Sequence, residues 1–294
     1  MPLTVLSPVK VNLRLSIGKK RPDGYHQVNT TMISLDTGDY LYFKINSAED
    51  LVTASRQDVP GGKHNLVFSA VKLIRTKLTD IPRVNIFIEK RIPPGTGLGA
   101  GSSNAAVSLL VLNNLSSKPL PLNQLRLLSA ELGSDVPFFI EGGISALRGR
   151  GDEFDQTVDD VRHEFSYFSN KIFLLIIPHR ISVSTKQAYQ SFDLTDNSIQ
   201  DTKNVFKLDN RNYGNDFEPV VFERHFQLKY YRDKLVEKGA EVALLSGSGS
   251  ALFGVFSDRL TAEQAKRSFE HEHVLTVLTT TRKAWKSWED LIDK

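Results

Sequence analysis

The sequence of 294 residues contains no cysteine and no hydrophobic run longer than a strand. The absence of cysteine excludes a disulfide framework, thiolate-bound zinc, an iron–sulfur cluster and a thiol nucleophile. A membrane-spanning helix needs about 20 apolar residues, whereas the most apolar run covers only residues 172–178. Residues 1–10 lack the basic and apolar regions of a secretory signal. These features predict a soluble, cytoplasmic protein.

The sequence also lacks an excess of charge of either sign. Its 37 Lys and Arg residues are balanced by 34 Asp and Glu residues, which leaves a net charge of +3. A dedicated nucleic-acid binder would instead carry a basic face. We therefore expect neither a nucleic acid nor a membrane as a partner.

The first half of the chain mixes strands and helices in a pattern that predicts an α+β fold. Alternating apolar residues predict strands, and apolar residues three and four positions apart predict helices. Asn65 and the run Ser102, Ser103 and Asn104 have the side chains that cap helix N-termini, and Gly133 suits a helix C-terminus. The predicted strands are 11–17, 40–45 and 84–89, and the predicted helices are 66–78, 105–115 and 123–132.

The second half begins after a change of composition near Gly151. Residues 193–214 are rich in Asp, Asn, Ser and Thr, which predicts a loop. A helical pattern over 217–238 is interrupted at Pro219, and residues 261–264 form a capping box that opens another helix. The predicted strands are 171–178, 241–245, 251–256 and 274–281. We place a domain boundary after residue 160, which divides the chain into 1–160 and 161–294.

The most informative segment is KRIPPGTGLGAGSSNAA at 90–106, which links a strand to a helix. Glycines allow backbone N–H groups to approach an anion, and the helix start adds the positive end of its dipole. The segment predicts a phosphate-binding loop, with a ligand-free turn as the alternative. The sequence lacks the Gly-Lys-Ser/Thr of a Walker A loop, the acidic residue that follows a Rossmann loop and the further motifs of protein kinases.

Three motifs resemble those of the GHMP kinase superfamily and occur in its order. They are SPVKVNL at 7–13, PPGTGLGAGSSNAA at 93–106 and LSGSGS at 245–250. RPDGYH at 21–26 and LGSDVPFF at 132–139 resemble one branch, a bacterial-type kinase of non-mevalonate isoprenoid synthesis whose alcohol substrate carries a cytidine diphosphate cap. Two positions depart from the family pattern. Val9 stands where alanine is usual, and Ala100 stands where glycine is common. Ala100 fits this loop only with a negative φ angle.

The resemblance implies two domains and a nucleotide. Residues 1–160 would form an N-terminal domain similar to domain 2 of ribosomal protein S5, which binds ATP and carries the catalytic residues. Residues 161–294 would form a ferredoxin-like C-terminal domain on the substrate side. The implied ATP-binding residues are Asn65, Leu66, Pro94, Gly95, Thr96, Gly97, Leu98, Gly99, Ala100, Gly101, Ser102, Ser103 and Asn104, and Gly247 and Gly249 form a supporting loop. Mg²⁺ is expected with ATP because it bridges phosphates, and Ser103 is a candidate for helping to hold it, without an acidic ligand evident nearby.

Lys10 and Asp135 are the catalytic pair that the resemblance implies. From the residue pattern alone, a structural role for Asp135 is as well supported as a catalytic one, because it follows a helix end and precedes an apolar strand, where a turn or an N-cap is common. Lys10 by itself has the pattern of a surface lysine. In the resembled family, the matching aspartate accepts the proton of the substrate hydroxyl beside the matching lysine. A nearby cation weakens a carboxylate as a base and stabilises the alkoxide. Asp135 as base and Asp135 as electrostatic stabiliser are therefore both open alternatives.

The resemblance also implies the substrate contacts Asn12, Tyr25, His26, Thr185 and Tyr189. Tyr25 and Tyr189 would enclose the cytosine, and stacking of a base on an aromatic ring contributes about 1–3 kcal/mol. Surface packing of Tyr25 and His26, and a core position for Tyr189, are the structural alternatives. Asn12 shares a strand face with Lys10 and is expected to orient the catalytic pair.

The function expected from these motifs is ATP-dependent phosphorylation of the 2-hydroxyl of the cytidine-capped alcohol. One alternative is a GHMP kinase for an uncapped alcohol such as homoserine or mevalonate, and another is a nucleotide-binding module without catalysis. A monomer and a homodimer fit equally well. Because both substrates are anionic, we expect Lys10, Lys90 and Arg91 to lie at the cleft.

Overall fold

The structure is a computed structural model, and it describes residues 2–45, 47–155, 161–193, 206–208 and 211–280. The strands are β1 (Leu3–Lys20), β2 (His26–Ile45), β3 (Leu51–Ala54), β4 (Val84–Glu89), β5 (Ile144–Arg148), β6 (Glu153–Phe154), β7 (Ile172–Ile177), β8 (Phe206–Leu208), β9 (Arg211–Asn215), β10 (Val242–Leu245), β11 (Leu252–Phe256) and β12 (His273–Val277). The helices are α1 (Leu66–Arg75), α2 (Ala100–Asn114), α3 (Leu122–Ser129), α4 (Val136–Glu141), α5 (Val161–Phe168), α6 (Thr185–Asp193), α7 (Glu218–Arg224), α8 (Phe226–Glu237) and α9 (Arg259–Lys266). In this part of the chain, no helix is both long and apolar enough to span a membrane.

The strands form two sheets, which confirms the predicted α+β class. The first sheet has the order β3-β4-β2-β1-β9-β8, and β5 and β6 extend it from β2. The second sheet has the order β10-β11-β7-β12 and its pairs are antiparallel. Strand β9 comes from the C-terminal half and pairs in parallel with β1, with Arg14 opposite Gly214. The division of the chain after residue 160 stays a prediction.

An apolar layer between the two sheets positions the face of β1 that carries Lys10 and Asn12. Val9, Val11 and Leu13 of β1 belong to one buried cluster with Phe173 and Phe253 of the second sheet. Successive side chains of a strand point to opposite faces. Lys10 and Asn12 therefore point away from this layer, towards helix α2 and the loop that precedes it.

Several predicted boundaries were wrong where long-range contacts decide the structure. Residues 193–214 were expected to be mostly loop; residues 194–205 and 209–210 lie outside the described part of the chain, whereas 206–208 and 211–214 belong to β8 and β9, and β9 pairs with the edge that β1 offers. The predicted capping run at Ser102 lies inside α2, which begins at Ala100 after Gly99. Asp135 precedes helix α4 and not a strand.

The ends of several helices are set by residues close in sequence. The helical pattern is broken at His225, whereas Pro219 lies in the first turn of α7, where its missing N–H costs little. Helix α9 is capped by Asp258, whose carboxylate accepts a hydrogen bond from the Thr261 N–H, three residues before the predicted cap. The N-cap at Asn65 is confirmed, because its side chain accepts a hydrogen bond of 2.9 Å from the Val67 N–H.

Candidate active site

The glycine loop turns directly into the N-terminus of α2. Gly95, Gly97 and Gly99 have φ angles of 73°, 76° and 70°, which L side chains rarely adopt. Ala100 is the first residue of α2, which confirms that this position has a helical, negative φ angle. The loop therefore brings backbone N–H groups and the positive end of a 15-residue helix to one place.

The C-terminal glycine loop packs directly against this phosphate loop. The Ser246 hydroxyl donates a hydrogen bond of 3.0 Å to the Gly97 carbonyl, and the Ala251 N–H donates one of 3.0 Å to the Thr96 carbonyl. A Cβ atom at Gly97 would lie 2.0 Å from the Ser246 carbonyl oxygen. Only glycine allows the two backbones to approach so closely.

A buried ion pair supports the base of the phosphate loop. The Asp39 carboxylate accepts hydrogen bonds from Lys90 Nζ at 2.6 Å and from the N–H groups of Arg91 and Ile92. Asp39 is fully buried and the Lys90 side chain is 4% exposed. The expectation that Lys90 and Arg91 lie at the cleft was wrong, because Lys90 neutralises Asp39 and Arg91 lies over the Tyr40 ring.

A chain of hydrogen bonds holds the Lys10 ammonium. Lys10 Nζ donates to Asn12 Oδ1 at 2.6 Å, and Asn12 Nδ2 donates to Thr30 Oγ1 at 2.8 Å. Thr30 Oγ1 donates in turn to the Arg14 carbonyl at 2.7 Å. The Lys10 N–H also donates to the Leu98 carbonyl at 3.0 Å, so that strand β1 and the phosphate loop are joined at this residue.

Asp135 faces Lys10 across the cleft. The nearest carboxylate oxygen lies 3.6 Å from Lys10 Nζ, and the Asp135 side chain is 34% exposed. Asp135 occupies the N-cap position of α4, but its side chain makes no capping hydrogen bond. Its charge also acts on Tyr189, whose pKa is raised to about 12, first by burial and then by Asp135. The carboxylate is therefore open to a ligand in the cleft.

Aromatic rings form the far end of the cleft. The His26 and Tyr189 rings stack with centroids 5.0 Å apart and an angle of 13° between their planes. His26 Nε2 lies 2.7 Å from Asp193 Oδ1, and the Phe217 ring meets Tyr189 edge to face. The two rings are stacked on each other, and Tyr25 lines the same cleft.

One cleft of about 400 Å³ collects 11 of the 22 predicted site residues. Those that line it are Lys10, Asn12, Tyr25, His26, Gly97, Gly99, Ser102, Asp135, Thr185, Tyr189 and Gly247. Asn65 and Leu66 lie outside this lining, at the start of α1. Ser103 and Asn104 are buried within α2, where they contact Ser7 and Asp39 respectively.

Sequence reasoning missed further residues of the cleft. Thr30, Arg150, Phe217 and Ser248 also line it. The Arg150 guanidinium lies 5.2 Å from the Tyr25 ring centroid and pairs with the Asp152 carboxylate at 2.8 Å. Thr30, Arg150 and Phe217 lie outside the quoted motifs, and Ser248 lies within the motif at 245–250, of which only the glycines were assigned a role.

Two residues, Asn215 at the end of β9 and Glu218 at the start of α7, brace the C-terminal glycine loop. Asn215 Nδ2 donates to the carbonyls of Leu245 and Gly247 at 2.8 and 2.7 Å. The Leu245 N–H donates to the Glu218 carboxylate at 2.9 Å. Burial raises the pKa of Glu218 to about 7. The sequence signal for this bracing role is the polar run Asn-Asp-Phe-Glu at 215–218. Its role depends on contacts with the C-terminal glycine loop, which begins 30 residues after Asn215.

The described residues contain no group of three histidine or acidic side chains that could hold a metal ion. Among the described residues that line the cleft, Asp135 carries the one carboxylate, and Ser102 is one of several residues with a hydroxyl group. Mg²⁺ commonly binds through one or two carboxylates together with substrate phosphates. This set of donors fits an ion that arrives with a nucleotide.

The chain matches two family models. Residues 65–143 match the GHMP kinases N terminal domain, and residues 193–274 match the GHMP kinases C terminal domain. The fold and these matches define an ATP-dependent small-molecule kinase of the GHMP class.

Curated relatives narrow this class. The chain is 34% identical to a 4-diphosphocytidyl-2-C-methyl-D-erythritol kinase of Thermodesulfovibrio yellowstonii, over 91% of this chain and 94% of the relative. It is 35% identical to the kinase of that name from Geobacter metallireducens, over 90% and 93%. The chain belongs to the 4-diphosphocytidyl-2-C-methyl-D-erythritol kinase family.

Solved structures agree with this assignment. A crystal structure of 4-(cytidine 5'-diphospho)-2C-methyl-D-erythritol kinase has a TM-score of 0.74 at 27% identity, and covers 94% of this chain and 98% of its own. The Methanococcus jannaschii mevalonate kinase has a TM-score of 0.68 at 13% identity, over 96% and 98%, which shows a shared fold.

Proposed function

We propose that this kinase transfers the γ-phosphoryl group of ATP to the 2-hydroxyl of 4-diphosphocytidyl-2-C-methyl-D-erythritol, a step of non-mevalonate isoprenoid precursor synthesis. The observation that carries the proposal is the pairing of Lys10 and Asp135, 3.6 Å apart, beside the glycine loop in one cleft. The relatives that share about a third of the sequence carry this substrate in their names.

ATP is proposed to bind with its phosphates on the loop from Pro94 to Asn104. The positive φ angles and the start of α2 support this placement, because both direct N–H groups outwards. Asn65 and Leu66 are proposed to contact the adenine end. Mg²⁺ would neutralise the charge of the phosphates, and the Ser102 hydroxyl in the cleft lining is a candidate for helping to hold it.

The transfer step is assigned to the catalytic pair. The substrate 2-hydroxyl gives its proton to Asp135, its oxygen forms a bond to the γ-phosphorus, and the bond to the β-phosphate oxygen breaks to release ADP. Lys10 stabilises the negative charge that develops on the oxygens. The partial exposure of Asp135 and its missing capping bond support this role, since a carboxylate used for capping would be occupied.

The acceptor end is assigned to the aromatic rings. Tyr25 is 57% exposed and is proposed to stack on the cytosine, with Tyr189 and His26 as the opposite wall. Thr185, whose hydroxyl lies 2.7 Å from Ser248 Oγ, is proposed to contact the substrate beside the Gly247 and Gly249 loop. Asn12 is proposed to hold the Lys10 ammonium near the reacting hydroxyl.

A substrate panel tests the choice of acceptor. The purified chain is incubated with Mg²⁺-ATP and either the cytidine-capped alcohol, mevalonate or homoserine, and ADP release is measured. We expect turnover with the capped alcohol alone. Phosphorylation of an uncapped alcohol in its place would favour the mevalonate or homoserine alternative, and ATP binding without turnover would favour the non-catalytic alternative.

The variant Asp135→Asn tests the mechanism. We expect turnover to fall by at least about 10²-fold, the lower range for loss of a general base, while ATP affinity stays within twofold by calorimetry. Asp233 is a matched control, since its carboxylate pairs with Lys229 on the exposed side of α8 and does not line the cleft. Full activity of Asp135→Asn would remove Asp135 from the mechanism.

A further inference from the structure

We infer that Thr30 is a positioning residue, which sets the place of the Lys10 ammonium through the orientation of the Asn12 amide. The inference deepens the proposed function, because it concerns the same Lys10–Asp135 pair. Thr30 is 5% exposed and lines the cleft. Neither the motifs nor the sequence pattern point to it.

The Thr30 hydroxyl has a single proton and can therefore donate only one hydrogen bond. Thr30 Oγ1 lies 2.7 Å from the Arg14 carbonyl, which can only accept a hydrogen bond, so the hydroxyl proton is committed there. Towards Asn12, Thr30 Oγ1 can therefore act only as an acceptor. The Asn12 amide must turn its NH₂ group towards Thr30, which it does at 2.8 Å.

The orientation of the Asn12 amide in turn fixes a hydrogen bond of the Lys10 ammonium. With its NH₂ group held by Thr30, Asn12 presents Oδ1 to the Lys10 ammonium at 2.6 Å. A flipped amide would bring NH₂ against NH₃⁺, and two donors repel each other. One proton of the ammonium is thus held by Asn12, and the others stay available on the side of Asp135, 3.6 Å away.

The fold explains why Thr30 is in reach. The register between β1 and β2 shifts between Asn12 and Arg14, which marks a β-bulge. Bulges redirect side chains and are frequent beside active sites. Thr31, the next residue, points to the other side, where its hydroxyl accepts a hydrogen bond of 3.2 Å from Arg14 Nε.

The test compares Thr30→Val with Thr31→Val as the matched control. Both substitutions replace a buried threonine hydroxyl by a methyl group, and both threonines contact Arg14. We expect Thr30→Val to lower kcat by about tenfold to a hundredfold, the range for a misplaced catalytic group, with the KM for ATP within twofold. Thr31→Val should keep kcat within twofold, and Thr30→Ser should restore most of the activity.

A double-mutant cycle distinguishes positioning from general support. If Thr30 acts through Asn12, Thr30→Val should change kcat less than twofold in an Asn12→Leu background. Multiplicative effects of the two changes would overturn the inference, as would a Thr30→Val variant with normal kcat. If Thr30→Val does not fold, Thr30→Ala is judged by the same criteria, and failure of both to fold would assign the hydroxyl to stability and overturn the inference too.

A substrate-free measurement separates this inference from the proposed function. In ¹⁵N-labelled protein, the Asn12 side-chain NH₂ signals should shift and exchange faster with solvent in Thr30→Val, but not in Thr31→Val. Unchanged signals would contradict the inference whatever the substrate. Absence of turnover in the unmodified chain would instead contradict the proposed function alone.

Discussion

Gly97 is the position where a single methyl group should separate the two glycine loops. An added Cβ atom would lie 2.0 Å from the Ser246 carbonyl oxygen, whereas ordinary contact begins at 3.4 Å, so this backbone must move by roughly 1.4 Å. The movement breaks the hydrogen bonds from Ser246 to Gly97 and from Ala251 to Thr96. Two such bonds contribute about 1–3 kcal/mol together, and the positive φ angle adds about 1–2 kcal/mol.

We therefore expect Gly97→Ala to lower the free energy of unfolding by about 2–5 kcal/mol, measured by urea denaturation. Gly95 and Gly101 are the matched controls, because a Cβ atom at either position meets nothing within 4 Å. Gly95→Ala should lose only the φ contribution of about 1–2 kcal/mol. Gly101 lies in the helix α2, and its change to alanine should be neutral or stabilising.

Activity should follow the same order. Separation of the loops moves the phosphate seat away from Lys10, so Gly97→Ala should show the largest loss of kcat/KM among the three variants. Equal stability of Gly97→Ala and Gly95→Ala would refute the reasoning, because it would mean that the approach of the two backbones contributes nothing.

Three further changes have expected outcomes. Tyr189→Leu should weaken binding of the cytidine-capped substrate by about 1–3 kcal/mol, seen as a raised KM with an unchanged KM for ATP. Asp39→Asn leaves the buried Lys90 ammonium without its partner and should destabilise the fold by about 3–5 kcal/mol; an unchanged thermal midpoint would contradict this. Burial raises the pKa of Glu218 from 4.5 to about 7, so between these pH values the folded state binds more protons than the unfolded state. Stability must then fall as pH rises through this window, by about 3 kcal/mol relative to Glu218→Gln, and parallel urea-denaturation profiles of the two proteins would exclude it.

The phosphate loop was predictable because its chemistry is local. Positive φ angles at Gly95, Gly97 and Gly99 follow from a glycine repeat next to a helix start, and the same locality explains the correct N-cap at Asn65. Lys10 and Asp135 were paired only through the resemblance, since each has an ordinary structural explanation from its neighbours. The structure places the two 3.6 Å apart.

The wrong expectations for Lys90 and for β9 share a physical cause, which is that the fold determines the partner of a side chain or strand. Lys90 was expected in the cleft, but Asp39 lies 51 residues away in sequence and takes its charge. The residues up to Gly214 were predicted to be mostly loop, but Arg211–Asn215 forms strand β9, because β1 provides an edge with which it pairs.

The sequence by itself determined the class of chemistry. Without cysteine and with nearly balanced charge, it left glycine backbones, one lysine and one aspartate as the groups that we propose for phosphoryl transfer, and the motifs contain these residue types. The tertiary structure decided which groups stand around them. Arg150 at Tyr25 and Thr30 behind Asn12 come from separate strands and turns, and hydrogen bonds between such segments depend on register and on a bulge that no local pattern encodes.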